Sequence, residues 1–293
     1  MTFSWNYNSK KYEIEQKLYK SVYKYYKEKP KSYSYTGSEP PEDWGEDYYG
    51  NYVKINKKDK TFSNILTSIK EKAEKDGLTR DETAELILAF VQSIPYDHEL
   101  ADTISNRNKK EKEVSKYPYE VLYENSGTCG GKSFLAYTLL KDLGYGVSLF
   151  EYKADEHLAV GVKCPLKYST QDSGYCYAET TFPGHPIGIV PTDNSDKDSD
   201  IEAFESLRDS NDNIGIKYPH RERLFLETYG YTYNKVKKNL EMENKIENLE
   251  DETDRIKKEL ERLLDLHTVV IAFFFLVHFH CEHTVFVLCV STF

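Results

Sequence analysis

The sequence predicts an α+β fold: a central helix packed on an antiparallel sheet, followed by a C-terminal coiled-coil helix and an apolar tail. Three observations carry the prediction. First, GTCGGKSFLAYTLLKDLGYGVSLF (127–150) reads as a tight glycine turn, a buried helix and a strand. From Ser133 to Leu143 the residues Phe134, Leu135, Ala136, Leu139, Leu140 and Leu143 cover most of the helix circumference, leaving Thr138, Lys141 and Asp142 for water. Second, three period-two runs follow with short links, the pattern of an antiparallel meander. Third, Met242, Ile246, Leu249, Thr253, Ile256, Leu260 and Leu263 alternate spacings of four and three, with charges elsewhere, as a short coiled-coil seam does.

Taken in order, Phe3, Trp5 and Tyr7 alternate, NSKK interrupts, and Tyr12, Ile14, Gln16 and Leu18 alternate again, which reads as a β-hairpin around an Asn-Ser turn. The Tyr/Lys-rich segment to Glu28 fits strand or helix. Residues 29–60, with Pro30, Pro40 and Pro41, read as a long surface connection, with Trp44 as a loop anchor. Thr61 is placed to cap a helix whose face is Phe62, Ile65, Leu66, Ile69 and Ala73, stopped by Gly77. Thr79 and Glu82 have capping-box spacing and open a helix that runs to about Ser93, before Pro95. Residues 97–116 are polar enough for a loop, and 117–125 form a short helix or turn. The strands are expected around Val147–Tyr152, in HLAVGVK (157–163) and in YCYAET (175–180). Residues 191–216 are acidic and loop-like, and 217–235 carry no clear pattern. The expected divisions are therefore 1–60, 61–190, 191–235, 236–266 and 267–293.

Thirty-nine Lys+Arg against 49 Asp+Glu leave a charge of −10, so nucleic acid is not an expected partner. Five cysteines (129, 164, 176, 281, 289) are an odd number with no small-disulfide spacing, and MTFSWNYNSKK has no apolar signal core. Cys164 and Cys176 flank a strand connection, where they could pair or bind a metal with His185, but their spacing fits no zinc pattern and free thiols are the reading taken. A reducing, cytoplasmic setting with free thiols is the expectation. DKDSD (196–200) lacks the glycine and glutamate of a calcium loop, and HFHCEH (278–283) has no second half, so no metal and no cofactor is expected. Residues 268–293 contain one charged side chain, Glu282, and are about long enough for one span, so membrane contact through this tail is expected. Self-association is expected through 236–266.

Chemistry converges on Cys129. It sits at the first turn of the central helix, where unpaired N–H groups and the helix dipole favour a thiolate. GTCGGKS ends as a phosphate loop does, but Ser126 stands where that motif needs a glycine. A nucleophilic thiol needs a base and an orienting group instead. His157 opens a strand on a face with Ala159 and Gly161, small enough for the helix to approach closely. Glu179 lies near the end of the next strand, and the even sum of 157 and 179 allows the two to oppose on one face.

The segments GTC, LLKDLGYGVSL, EHLAVGV and YAETT, with FVQSIPYD (90–97), resemble the transglutaminase-like (papain-related) superfamily in its prokaryotic form. The resemblance covers about 61–190. It implies a papain-like core with Cys129 as nucleophile, His157 as base, Glu179 as orienter and Gln92 as oxyanion donor. The implied activity is acyl transfer on peptide or amide bonds through a thioester, hydrolytic by default, with a peptide or protein as substrate. Departures are Lys132 and Lys141 on the helix, Leu158 after the histidine, and Glu in place of the commoner Asp. The alternatives are a cross-linking transglutaminase or a non-catalytic coiled-coil scaffold.

Overall fold

The computed structural model describes residues 1–39, 41, 43–56, 58–105, 115–152, 157–190 and 223–290, without the side chains of 105, 223 and 265–290. Two compact units divide the chain, 1–240 and 241–293.

The first unit begins with the hairpin β1 (Thr2–Tyr7) and β2 (Lys10–Glu15), in which Tyr7 opposes Lys10. Its two-residue turn holds Asn8 and Ser9 at φ of 48° and 60°, the left-handed pair that matches the strand twist. Phe3 and Trp5 point inward and meet Phe90 at ring separations of 5.4 and 5.2 Å. Phe90 belongs to α4 (Arg80–Gln92), and the Thr79–Glu82 capping box that opens this helix is present. Before it, α3 (Thr61–Lys75) buries the expected apolar face. Thr61 is its first helical residue rather than its cap, and its N–H donates to Asp59 Oδ1 at 2.9 Å.

The Tyr/Lys-rich segment, open between strand and helix in the sequence, is the helix α1 (Lys20–Glu28). A helix where none was expected, α2 (Trp44–Val53), interrupts the expected surface connection. Tertiary packing accounts for α2: Tyr52 stacks on Phe134 at 4.5 Å and Trp44 meets Phe225 at 5.8 Å. Trp44 thus opens a helix and is not a loop anchor. A further helix, α5 (His98–Ser105), lies in the expected polar loop, and α6 (Pro118–Glu124) matches the short helix.

The central helix is α7 (Cys129–Leu143), buried continuously from Gly130 to Leu140. Thr138 is buried rather than wet, because its hydroxyl is satisfied by the Phe134 carbonyl at 2.8 Å. Gly144, at φ 102°, ends the helix in the left-handed conformation that a Cβ would strain. The sheet pairs β3 (Val147–Tyr152), β4 (His157–Lys163), β5 (Tyr175–Ala178) and β6 (Arg223–Phe225) in the order β5-β4-β3-β6, wholly antiparallel. At three residues β6 is too short to leave a period. Leu158, Val160 and Val162 join the main core with α7, whereas Ala159 lies on the other face with Phe150, Tyr152, Tyr175 and Tyr177. The expected close face of Ala159 and Gly161 therefore does not receive the helix; the aliphatic face does.

Cys164 and Cys176 form a disulfide between the end of β4 and β5, which corrects the expectation of free thiols there. The hairpin, α3, α4, α7 and Val236 share one core.

In the second unit α8 (Val236–Val290) continues as one helix. Among the described residues no helix is long and apolar enough to cross a membrane. The acidic 191–216 segment and the side chains of the 268–293 tail, with its HFHCEH run, lie outside the described residues.

Candidate active site

Cys129 is the first residue of α7 and is half-buried. The glycines after it are structural: a Cβ on Gly130 would lie 2.3 Å from Ser115 Oγ, and one on Gly131 2.9 Å from Val121 Cγ2. They let the helix start pack against α6 and the residues leading into it. The Cys129 thiol is hydrogen-bonded by the His157 imidazole and by the Leu158 backbone. Burial pushes its pKa up, but the imidazole's hydrogen bond and charge outweigh burial and hold the thiol below its ordinary value.

Behind His157 the order of groups differs from the expected direct pair. His157 Nε2 stands 3.8 Å from Glu179 Oε2, too far for a hydrogen bond. The Tyr177 hydroxyl fills the gap, donating to Glu179 Oε2 at 2.5 Å and lying 3.3 Å from His157 Nε2. Register explains this. Gly161 opposes Tyr177, so the same register sets Glu179 level with Ala159, and it reaches the imidazole diagonally instead of face to face. Tyr177 is the residue of this cluster that the sequence reading passed over. Its signal was present, since it shares a strand face with Glu179 at a spacing of two.

The Glu179 carboxylate is fully buried yet well supplied with donors. Its Oε1 accepts from the backbone N–H of Thr180 at 2.8 Å, and from the N–H and hydroxyl of Thr181, both at 2.5 Å. Burial raises its pKa, and the imidazole charge with these hydrogen bonds lowers it further than burial raises it. Ser133 ties the assembly to α7, donating to the Leu158 carbonyl at 2.8 Å and lying 3.1 Å from Thr180 Oγ1.

Gln92 comes into the neighbourhood but not into the expected role. Its Nε2 donates to the carbonyls of Glu179 and His185, each at 2.9 Å, and its Oε1 accepts from the Gly184 N–H at 3.1 Å. Both amide hydrogens are thus used on the backbone, leaving none for an oxygen beside Cys129. Lys132 is buried too. Its ammonium donates to the carbonyls of Ile94 at 2.6 Å, Gln92 at 3.2 Å and Thr181 at 3.5 Å, and burial lowers its pKa to about 8. Because Lys132 is committed to carbonyls inside the core, a phosphate-loop role for it does not fit.

A separate concavity, lined by Arg80, Asp81, Tyr231 and Lys235 among others, contains none of these groups. Among the described residues no cluster of three or more His, Cys, Asp or Glu side chains is arranged to hold a metal. No protein-family model, curated protein or solved structure matches this chain.

Proposed function

We propose that this chain is a cysteine-dependent acyl-transfer enzyme with a transglutaminase-like core, acting on peptide or amide bonds with hydrolytic outcome. One observation carries the reading: a thiol at the N-terminus of a buried helix, hydrogen-bonded to an imidazole and with its pKa lowered by it. In the proposed cycle His157 accepts the Cys129 proton, and the thiolate attacks the carbonyl carbon of the scissile amide. The Cys129 backbone N–H, at the first turn of α7, donates to the developing oxyanion. Collapse breaks the C–N bond, and the imidazolium returns its proton to the leaving amine. A water, deprotonated by His157, then cleaves the thioester and releases the acid. Glu179, acting through Tyr177, holds the proton on Nε2 of the neutral imidazole, so that Nδ1 faces the thiol as base. Gln92 and Lys132 are positioning residues in this scheme.

The test is the pH dependence of Cys129 alkylation, followed by turnover of peptide and glutamine-amide substrates. The expected result is alkylation below the pH range of an ordinary thiol, lost in His157→Ala. A Cys129 that alkylates like a free cysteine, with no dependence on His157, overturns the reading. An added primary amine distinguishes a transferase from a hydrolase, since it captures the same thioester. The exposed apolar residues on α8 favour a second, compatible reading in which this enzyme unit is assembled through a coiled coil.

A further inference from the structure

We infer that residues 242–263 of α8 pair with a second copy of this chain as a parallel, in-register, two-stranded coiled coil. On this stretch Met242, Ile246, Leu249, Ile256, Leu260 and Leu263 are between 47% and 62% exposed, an apolar stripe about 33 Å long at 1.5 Å per residue. Their spacing places Ile246, Thr253 and Leu260 at a, and Met242, Leu249, Ile256 and Leu263 at d. Thr253 is the one polar seam residue, and its hydroxyl already donates to the Leu249 carbonyl at 2.7 Å, so it can enter an interface with its donor satisfied.

Charge selects the partner and its direction. In a parallel pair each g residue faces the next e residue of the other strand. Here Lys245 meets Glu250 and Glu252 meets Lys257, and the two-fold axis repeats both attractive pairs. A centred antiparallel pair would instead set Glu252 against Glu252. Ile246 at a beside Leu249 at d favours two strands, whereas Leu260 at a beside Ile256 at d favours more, so the strand number is read by the sedimentation below. Lys257 also contacts Asp254 on its own helix at 3.4 Å, but both side chains are about two-thirds exposed (68% and 67%), so that contact is too weak to hold it. A parallel pair also sends both apolar tails onward from the same end of the seam. The inference does not rest on acyl transfer and leaves Cys129 alkylation unaffected.

Sedimentation of the full chain in mild detergent tests it. The expected result is a dimer that becomes a monomer in Ile246→Asp/Leu260→Asp, with the melting transition of the folded unit unchanged. A monomeric wild type, a higher oligomer, or a dimer that persists in the double variant, and hence forms through the tail, overturns it. Direction is read separately with Leu249→Cys on a background in which Cys129, Cys281 and Cys289 are serine. In-register parallel strands bring the two new thiols together at d, so mild oxidation should cross-link most of the dimer. Failure to cross-link, with the dimer intact, overturns the parallel register. Glu250→Lys should weaken the dimer several-fold, and adding Lys245→Glu should restore it.

Discussion

Two buried polar clusters lie against the first turn of α7, and they differ in where their hydrogen bonds end. One runs from side chain to side chain: Cys129 to His157, His157 to Tyr177, Tyr177 to Glu179. The other, Gln92 and Lys132, ends on the carbonyls of Ile94, Gln92, Glu179, Thr181 and His185. Only the first cluster can pass a proton along titratable atoms. The second fixes backbone, including the backbone of Glu179, whose carboxylate closes the first. Burial of polar groups is thus used in one place for reactivity and next to it for rigidity.

The largest expected effects break the reactive cluster. Cys129→Ser should reduce turnover by about 10⁴-fold or more, because these surroundings do not ionise a serine hydroxyl. His157→Ala should slow alkylation of Cys129 at neutral pH on the order of ten- to a hundredfold. The sign follows from the lowered thiol pKa. Wild-type Cys129 stays ionised, and reactive, as pH falls below the ordinary thiol range, and the variant loses reactivity at higher pH. Equal pH profiles for the two would place both histidine and thiol in a merely structural role.

The second cluster should answer to stability and not to reactivity. Gln92→Ala leaves the carbonyls of Glu179 and His185 without their donor and should cost about 2–4 kcal/mol in denaturant unfolding. Cys129 alkylation of the folded variant should stay within about threefold of wild type on the same argument. A loss of reactivity as large as that of His157→Ala, in a variant that remains folded, would return Gln92 to the chemistry.

Much of this arrangement was legible in the sequence, and the rest was hidden for physical reasons. The hairpin, α3, α4, α7 and the three main strands follow from periodicity and capping, which are local. Cys129 and His157 were legible because a thiol at a helix start and a histidine at a strand start are unusual placements. Glu179 was legible as a carboxylate but not as a diagonal neighbour, since register depends on pairing that an index sum only restricts. Helix α2 and strand β6 owe their form to tertiary contacts, Tyr52 on Phe134 and Trp44 on Phe225. The fate of Gln92 was hidden because the loop carbonyls that claim it lie about ninety positions away.

A smaller effect sharpens the comparison through pH. Lys132 has its pKa lowered by burial from 10.5 to about 8. In that interval the unfolded chain binds the proton and the folded chain does not, so this group makes stability rise as pH rises from about 8 toward 10. Lys132→Met should unfold more easily at pH 7, because three carbonyls lose their donor, and should lack that rise. The buried tyrosines titrate alike in both proteins, so the difference between the two melting temperatures isolates the lysine. A difference that does not change with pH would mean that Lys132 keeps its proton throughout.

The smallest and most discriminating effect is expected at Tyr177. If Glu179 acts on the imidazole through the phenol, Tyr177→Phe removes a hydroxyl that lies within hydrogen-bond distance of both His157 Nε2 and Glu179 Oε2. The carboxylate and imidazole would then face each other at 3.8 Å, still attracting but no longer fixing the tautomer. Turnover should fall about three- to tenfold, while the alkylation pH profile moves only slightly, because the imidazolium that lowers the thiol pKa remains. Glu179→Gln should cost more, since it also removes the charge that favours the imidazolium. The ordering is what tests the relay. A Tyr177→Phe variant that turns over as wild type would mean that carboxylate and imidazole close the gap directly and that the phenol only packs. One as damaged as Glu179→Gln would mean that nearly all of the influence of Glu179 passes through that hydroxyl.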